Sequence, residues 1–348
     1  MLICLAMMHI AGSTAERSAA PAFADFVSEF DPALPGYGYD RAGATQKTIQ
    51  EMALGTYLVA TVQAGAMAEA KVAAEQLLAM RHNTAGVGWG LGFAWDAFGD
   101  GSINPGDTIY GVTIAIVVRG LFDLYDVTKD AKYKDAALEA LAYYRAAAYT
   151  VSTIGPDGGL FWYSDQPSDK TFAVLNVVSM LMGQYARAYS YTSDADYEDV
   201  VRRCERYLWA LKQTAESGIY WPYKYGKNAG SGYNDPVHSA FVVQGFLDAA
   251  KYLEPQYDIT PAVDYLVAQA AEMTTGHQRL WGVGMMMYTL AEAGRMASVD
   301  ALVENVLPRF RRPDGRYAWA TVSQDVFVRH TAYLLAGIAR RDKARGQR

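Results

Sequence analysis

Two stretches of this chain are near copies of each other. His238-Ser-Ala-Phe-Val-Val-Gln-Gly-Phe and His330-Thr-Ala-Tyr-Leu-Leu-Ala-Gly-Ile agree in residue type at most positions. Tyr125-Asp-Val-Thr-Lys-Asp-Ala-Lys-Tyr-Lys-Asp agrees in the same way with Tyr189-Ser-Tyr-Thr-Ser-Asp-Ala-Asp-Tyr-Glu-Asp. A helical unit that recurs buries its apolar face against its own neighbours, so the repeats call for an array of helix pairs. The 348 residues, 51% of them hydrophobic, are ample for one large core.

Apolar spacing places helices over 42–64 and 67–80, then in pairs over 107–125 with 131–147, 171–191 with 195–213, 236–253 with 261–273, and 279–293 with 298–310. A further helix covers 325–341, and residues 20–31 read as a first one. Pro236 and Pro261 suit first-turn positions, where a missing N–H costs nothing. Asp107 is placed to cap the helix that follows it. Connections within pairs are short, whereas His82–Gly106, Ala148–Lys170 and Glu216–Asp235 are long and rich in Gly and aromatics. Gly159-Leu-Phe-Trp-Tyr, Gly218-Ile-Tyr-Trp-Pro-Tyr and Gly315-Arg-Tyr-Ala-Trp share a Gly turn followed by alternating aromatics, the pattern of short hairpins.

The helices after the long loops carry the least charge and read as an inner ring. Their amphipathic partners read as an outer one. The predicted fold is all-α, an (α/α)6 toroid: residues 1–18 a signal-like or unstructured start, 19–342 one toroid domain, 343–348 a basic tail. The repeated Tyr-x-x-Thr-x-Asp-Ala-x-Tyr unit, together with Trp221-Pro-Tyr and Asp235-Pro-Val-His238-Ser-Ala-Phe, is similar to motifs of bacterial toroid proteins associated with polysaccharides. These include relatives of unsaturated-glucuronyl hydrolases and the C-terminal domain of glucuronyl C5-epimerases. The resemblance implies a carbohydrate-active protein.

If the inner helices run in one direction, the long loops gather at one mouth. There His238 and His330 occupy equivalent first-turn positions, where imidazoles serve as general base or donor. Asp107 and Asp235 are candidates for the carboxylate pair of a glycosidase, with Asp325 as reserve. Tyr110 is a candidate acid or base in elimination or epimerisation. Trp95, Asp96, Trp162, Tyr163, Trp221, Tyr223 and Trp281 are candidate sugar-binding residues, joined by Asp325 and by Arg329, which suits a carboxylate. The expected activity is glycoside hydrolysis of a polysaccharide or oligosaccharide by an aspartate pair. The alternatives are a uronate lyase or C5-epimerase using His or Tyr, and a non-catalytic glycan-binding component of a polysaccharide system.

Net charge is −6 without a basic stripe, which argues against nucleic acid. Asp100-Gly-Ser-Ile-Asn104 lacks EF-hand spacing, so no metal is expected, and the absence of Walker and dinucleotide motifs removes those cofactors. Gly86-Val-Gly-Trp-Gly-Leu-Gly reads as a flexible lip, and Cys204 and Met285-Met-Met287 as core. Residues 1–15 form an apolar run ending in small residues, which points to a periplasmic or secreted protein; the run is too short to span a bilayer.

Overall fold

The computed structural model describes residues 39–40, 50–83, 86–91, 93–99, 101–152, 154–226 and 236–346. The signal-like start, the expected helix at 20–31, Asp100 and Asp235 lie outside the described residues. Helices alternate along the chain: α1 (Gln50–Ala64), α2 (Met67–Met80), α3 (Gly111–Thr128), α4 (Ala131–Ala148), α5 (Leu175–Thr192), α6 (Ala195–Ala210), α7 (Pro236–Ala249), α8 (Thr260–Glu272), α9 (Leu280–Glu292), α10 (Met296–Ala301) and α11 (Val328–Ala344). After α10 the helix continues through a π turn at Leu302–Val306 and a 3-10 turn at Leu307–Phe310.

The odd-numbered helices form the inner ring. Each packs on the next, α1 on α3, α3 on α5, and so on to α11, which packs back on α1 and closes the circle. The even-numbered helices lie outside, each against the inner helix that precedes it. Among the described residues, no helix is long and apolar enough to cross a membrane. Cys204 is free and fully buried, and Met285, Met286 and Met287 are core residues, as expected.

The structure explains both repeats. In His238…Gly245 and His330…Gly337 the shared glycine is a point of close backbone approach. A Cβ on Gly245 would stand 2.1 Å from the Ser179 carbonyl of α5, and one on Gly337 would stand 2.5 Å from the Gly284 carbonyl of α9. Only the absence of a side chain lets these inner helices meet so closely. The Tyr-x-x-Thr-x-Asp-Ala unit is a helix–turn–helix joint. Lys129 and Ser193 adopt left-handed backbone at φ 59° and 55°, and Asp130 and Asp194 cap α4 and α6 by accepting from the Lys132 and Asp196 N–H groups. The second repeat therefore builds the short-turn end, whereas the first carries its histidines to the opposite end.

Candidate functional site

At the mouth, α3, α5, α9 and α11 start without side-chain caps. The residues before α3, α5, α9 and α11 are Tyr110, Val174, Arg279 and Phe327, all extended. The first helical N–H is met instead by a carbonyl from the next aromatic loop: Gly111 donates to Tyr163 at 3.0 Å, Leu175 to Tyr223 at 3.0 Å, and Leu280 to Trp319 at 2.9 Å. Short antiparallel pairs accompany these bonds. Tyr110 bridges Ser164 and Arg279 bridges Ala320, while β4 (Phe172–Val174) pairs with β7 (Lys224–Gly226) and β1 (Tyr39–Asp40) with β8 (Val326–Phe327). The predicted hairpins are present as β2 (Tyr149–Val151) with β3 (Gly159–Phe161) and β5 (Gln213–Ala215) with β6 (Gly218–Tyr220).

This stitching overturns the expected role of Asp107 as a cap. The helix opens at Gly111, its first N–H is bound by a loop carbonyl, and Asp107 is exposed upstream. Its charge is felt by Tyr143 on the outer helix α4.

The two repeat histidines do come together, around Trp281. The indole centroid lies 5.3 Å from the His238 ring and 6.2 Å from the His330 ring. Tyr223 packs on His238 at 4.6 Å, and Trp319 and Phe327 pack on His330 at 5.8 and 5.6 Å. The Arg329 guanidinium stands over Trp281 at 5.9 Å, a cation–π contact. Beside this cluster a second aromatic group joins Trp95, Tyr110, Tyr163, Phe98 and Phe172 edge to face. The Lys224 ammonium lies 4.7 Å from the Phe172 centroid.

The equivalent histidines differ in environment. His238 is half-buried. His330 is 3% exposed, and burial, reinforced by Arg329 and Arg279, holds its pKa well below the ordinary histidine value. It hydrogen-bonds the Trp319 backbone, while its Nδ1 is buried with no partner. A neutral imidazole that donates through one nitrogen offers a lone pair on the other. Arg329 Nε and Asn176 Oδ1, both in first turns of inner helices, are likewise buried and unpartnered.

Other predicted residues are committed to the scaffold. Tyr110 is fully buried, its hydroxyl accepts from Asn104 at 3.1 Å, and burial pushes its pKa up to about 12, which does not suit a base at neutral pH. Asp96 folds its own loop by accepting from the N–H groups of Phe98, Gly99 and Gly101 at 3.3, 2.7 and 2.9 Å. Trp221 is fully buried and donates to the Leu208 carbonyl at 2.6 Å, pinning its loop to α6. Trp89 does the same to Leu77 on α2 at 2.7 Å. The segment around Trp89 is therefore packed rather than a lip: a Cβ on Gly90 would meet the Thr108 carbonyl at 2.1 Å. Trp162 is nearly buried, and its backbone carbonyl accepts from the Tyr144 hydroxyl at 2.9 Å. Asp325 is half-buried, and its carbonyl accepts from the Trp319 N–H at 2.8 Å.

Sequence reasoning missed Glu51. It stands in the first turn of α1, 3% exposed, with Oε2 unpartnered, and burial pushes its pKa up to about 7. The signal was present, since it is the only charge in the α1 segment QEMALGTYLVATVQA. Among the described residues, no cluster of His, Cys, Asp and Glu has the geometry of a metal site.

No protein-family model matches the sequence, and no curated protein is similar to it by sequence. Solved structures match it by fold. A family 76 glycoside hydrolase, an α-mannanase from Bacteroides thetaiotaomicron, aligns with TM-score 0.67 at 12% identity over 93% of this chain and 95% of its own. A sugar epimerase from a ruminal bacterium aligns with TM-score 0.61 at 13% identity over 93% and 99%. An inactive α-1,6-mannanase variant from Salegentibacter, in complex with α-1,6-mannotriose, aligns with TM-score 0.64 at 9% identity over 92% and 96%. The chain has the (α/α)6 toroid fold of these carbohydrate-active proteins. The Salegentibacter variant is inactive with two consecutive aspartates replaced by asparagine. No two aspartates are adjacent in this sequence.

Proposed function

We propose that this protein is a carbohydrate-active enzyme that moves a proton on a sugar held at the toroid mouth, with His330 and His238 as the acid/base pair. The observation that carries the reading is the meeting of both repeat histidines on Trp281, with His330 Nδ1 buried and unpartnered. Neutral His330 takes a proton from a carbon next to a carbonyl, and the electron pair moves onto the carbonyl oxygen. The Arg329 cation over Trp281 stabilises the charge that develops there. His238, less buried, returns a proton to that carbon from its own side. The net result is epimerisation, or elimination where a leaving group departs first. The aromatic faces of Trp281 and Tyr223 suit the C–H faces of sugar rings, whereas Tyr163, 8% exposed, packs behind them on Phe98 and Tyr110.

The test is incubation with neutral, acidic and N-acetylated saccharides in deuterated water, read by mass spectrometry. Deuterium appearing at a sugar carbon, and lost in His330→Gln, is the expected result. Products formed only by addition of water, with no carbon-bound deuterium, would overturn it.

Hydrolysis is the second reading. Its support is the fold shared with family 76 hydrolases and the position of Asp325 in the loop between Trp319 and His330. Of the expected carboxylate pair, Asp235 lies outside the described residues and Asp107 is exposed upstream of α3. Solvent oxygen-18 in the product, lost in Asp325→Asn, would favour it. An exported enzyme acting on a polysaccharide or oligosaccharide fits either reading.

A further inference from the structure

The rim of the mouth is split by charge. The connections into α9 and α11, residues 273–279 and 311–327, carry Arg279, Arg311, Arg312 and Arg316, with Arg309 just before the second and Arg329 just after it. Against these arginines stand Asp314 and Asp325. The connections into α3 and α5, residues 81–110 and 149–174, have the opposite balance. Among their described residues, Asp96, Asp107, Asp157, Asp165 and Asp169 outnumber Arg81 and Lys170. In the ring of inner helices α3 and α5 stand opposite α9 and α11, so the two sides face each other across the opening.

The basic side is one surface. Arg309 donates to the Met273 and Gly276 carbonyls at 3.1 and 2.6 Å, Arg279 bridges Ala320, and the Thr321 N–H donates to the Gln278 carbonyl at 3.1 Å. These bonds sew the two connections together and leave positive charge over. The carbonyls that hold Arg309 are neutral. Arg312 and Arg316 share the Asp314 carboxylate at 3.1 and 3.2 Å. Arg279 and Arg311 are exposed, and neither has an ion-pair partner among the described residues. The charges of Arg279 and Arg329 are both felt by His330, so the positive field reaches from the outer rim to the proposed site. In the sequence these arginines are scattered, and the patch exists only once the connections are joined.

A positive sector on a chain of net charge −6 draws anions to one place and repels them elsewhere. Neither connection holds a lysine. A guanidinium presents paired N–H donors that match a carboxylate or sulfate, which a lysine does not. Single-stranded nucleic acid would need open aromatic faces for its bases. Here Tyr317 is 3% exposed and Trp319 stacks on Phe327 at 5.2 Å, so the rings of this sector are engaged in packing.

We infer that the arginine side of the rim is a track for an acidic glycan, whose chain leaves the mouth over Arg279, Arg309 and Arg311 and is turned from the aspartate side. This rests on the reading of the mouth as a sugar site and names the class of polymer it takes. It concerns binding rather than the reaction.

The test is a binding titration of the full chain, from low to physiological salt, with polygalacturonate, dextran sulfate, neutral dextran and single-stranded oligothymidylate. At least one acidic glycan is expected to bind far tighter than dextran, with an affinity that falls as salt rises, and the tighter of the two identifies the acid group as carboxylate or sulfate. Arg279→Gln and Arg311→Gln should each weaken that binding about three-fold or more at low salt and make its salt dependence shallower. Lys71→Gln, the same charge change in the first turns of outer helix α2 at the opposite end, should do neither. No binding of either acidic glycan, equal binding of dextran, an equal loss in Lys71→Gln, or tighter binding of the oligothymidylate than of both glycans would overturn the inference. Acidic-glycan binding without carbon-bound deuterium leaves the track assigned and removes the proton-transfer reaction. Deuterium exchange on neutral saccharides with no binding of an acidic glycan does the reverse.

Discussion

The two ends of the toroid are made from the same six helices and differ in how far their buried charges are ion-paired. At the short-turn end, charges on the inner helices and just past them find one another. Arg187 binds Asp123 at 2.6 Å and Asp126 at 2.7 Å, Lys251 sits between Asp248 at 2.9 Å and Glu292 at 2.8 Å, and Arg340 binds Glu292 at 2.6 Å. At the mouth, Arg329 Nε, His330 Nδ1, Asn176 Oδ1 and Glu51 Oε2 are buried with no partner. A fold can carry unmet polar groups only where something else repays the lost hydration. The ion-paired end ties neighbouring inner helices together although single atoms of Asp123 and Arg340 stay unmet, and the unmet groups at the mouth include the histidine of the proposed site.

That contrast can be broken by substitution. Arg119→Met should have the largest effect, lowering stability by about 3–5 kcal/mol in denaturant unfolding, because it strips Asp248 of a buried partner. Sugar binding at the mouth should survive it at temperatures where the variant is folded. A small loss of stability would mean that the network is not a lock.

Glu51→Gln should move the other way. The carboxyl pKa is raised from 4.5 to about 7 in the folded state, so folding binds a proton between those values and stability falls as pH rises through that window. Removing the group should stabilise the protein at pH 8 by up to about 3 kcal/mol and change little at pH 4. A destabilised variant at pH 8 would show that the ionised group has a partner.

His330→Gln keeps a donor for the Trp319 carbonyl and loses the Nδ1 lone pair. Turnover should drop about 100-fold or more with the melting temperature nearly unchanged. Parallel loss of both would make the residue part of the scaffold. Asp107→Asn should do least, leaving rate and stability near those of the parent. A fall in rate by orders of magnitude would restore the aspartate-pair mechanism.

Much of the fold was legible because its constraints are local. Apolar spacing fixed the helices, and the repeated Gly and Asp-Ala positions fixed the contacts and joints between them. The convergence of His238 and His330 followed from the repeat itself. Less of the site could be read, because a loop residue's position does not say which way it points. Trp221 and Trp281 both border the mouth, yet one is pinned to an outer helix and the other faces the histidines. Asp107 looked like a cap because Asp at a helix start usually is one, but here a carbonyl from a distant loop had already taken that place. The ion network was hidden for a similar reason. Arg119, Asp248 and Glu292 are isolated charges in apolar helices, and their pairing exists only once the ring is closed.

Because Tyr110 is laced to Ser164, β4 to β7, Arg279 to Ala320 and β1 to β8, the described lips of the mouth are tied to a neighbour and are not independent fingers. Grafting a single connection from a relative would leave its neighbour without an edge to lie on. Re-tooling this protein for a different guest therefore means exchanging adjacent connections in pairs, together with the strand residue that joins them.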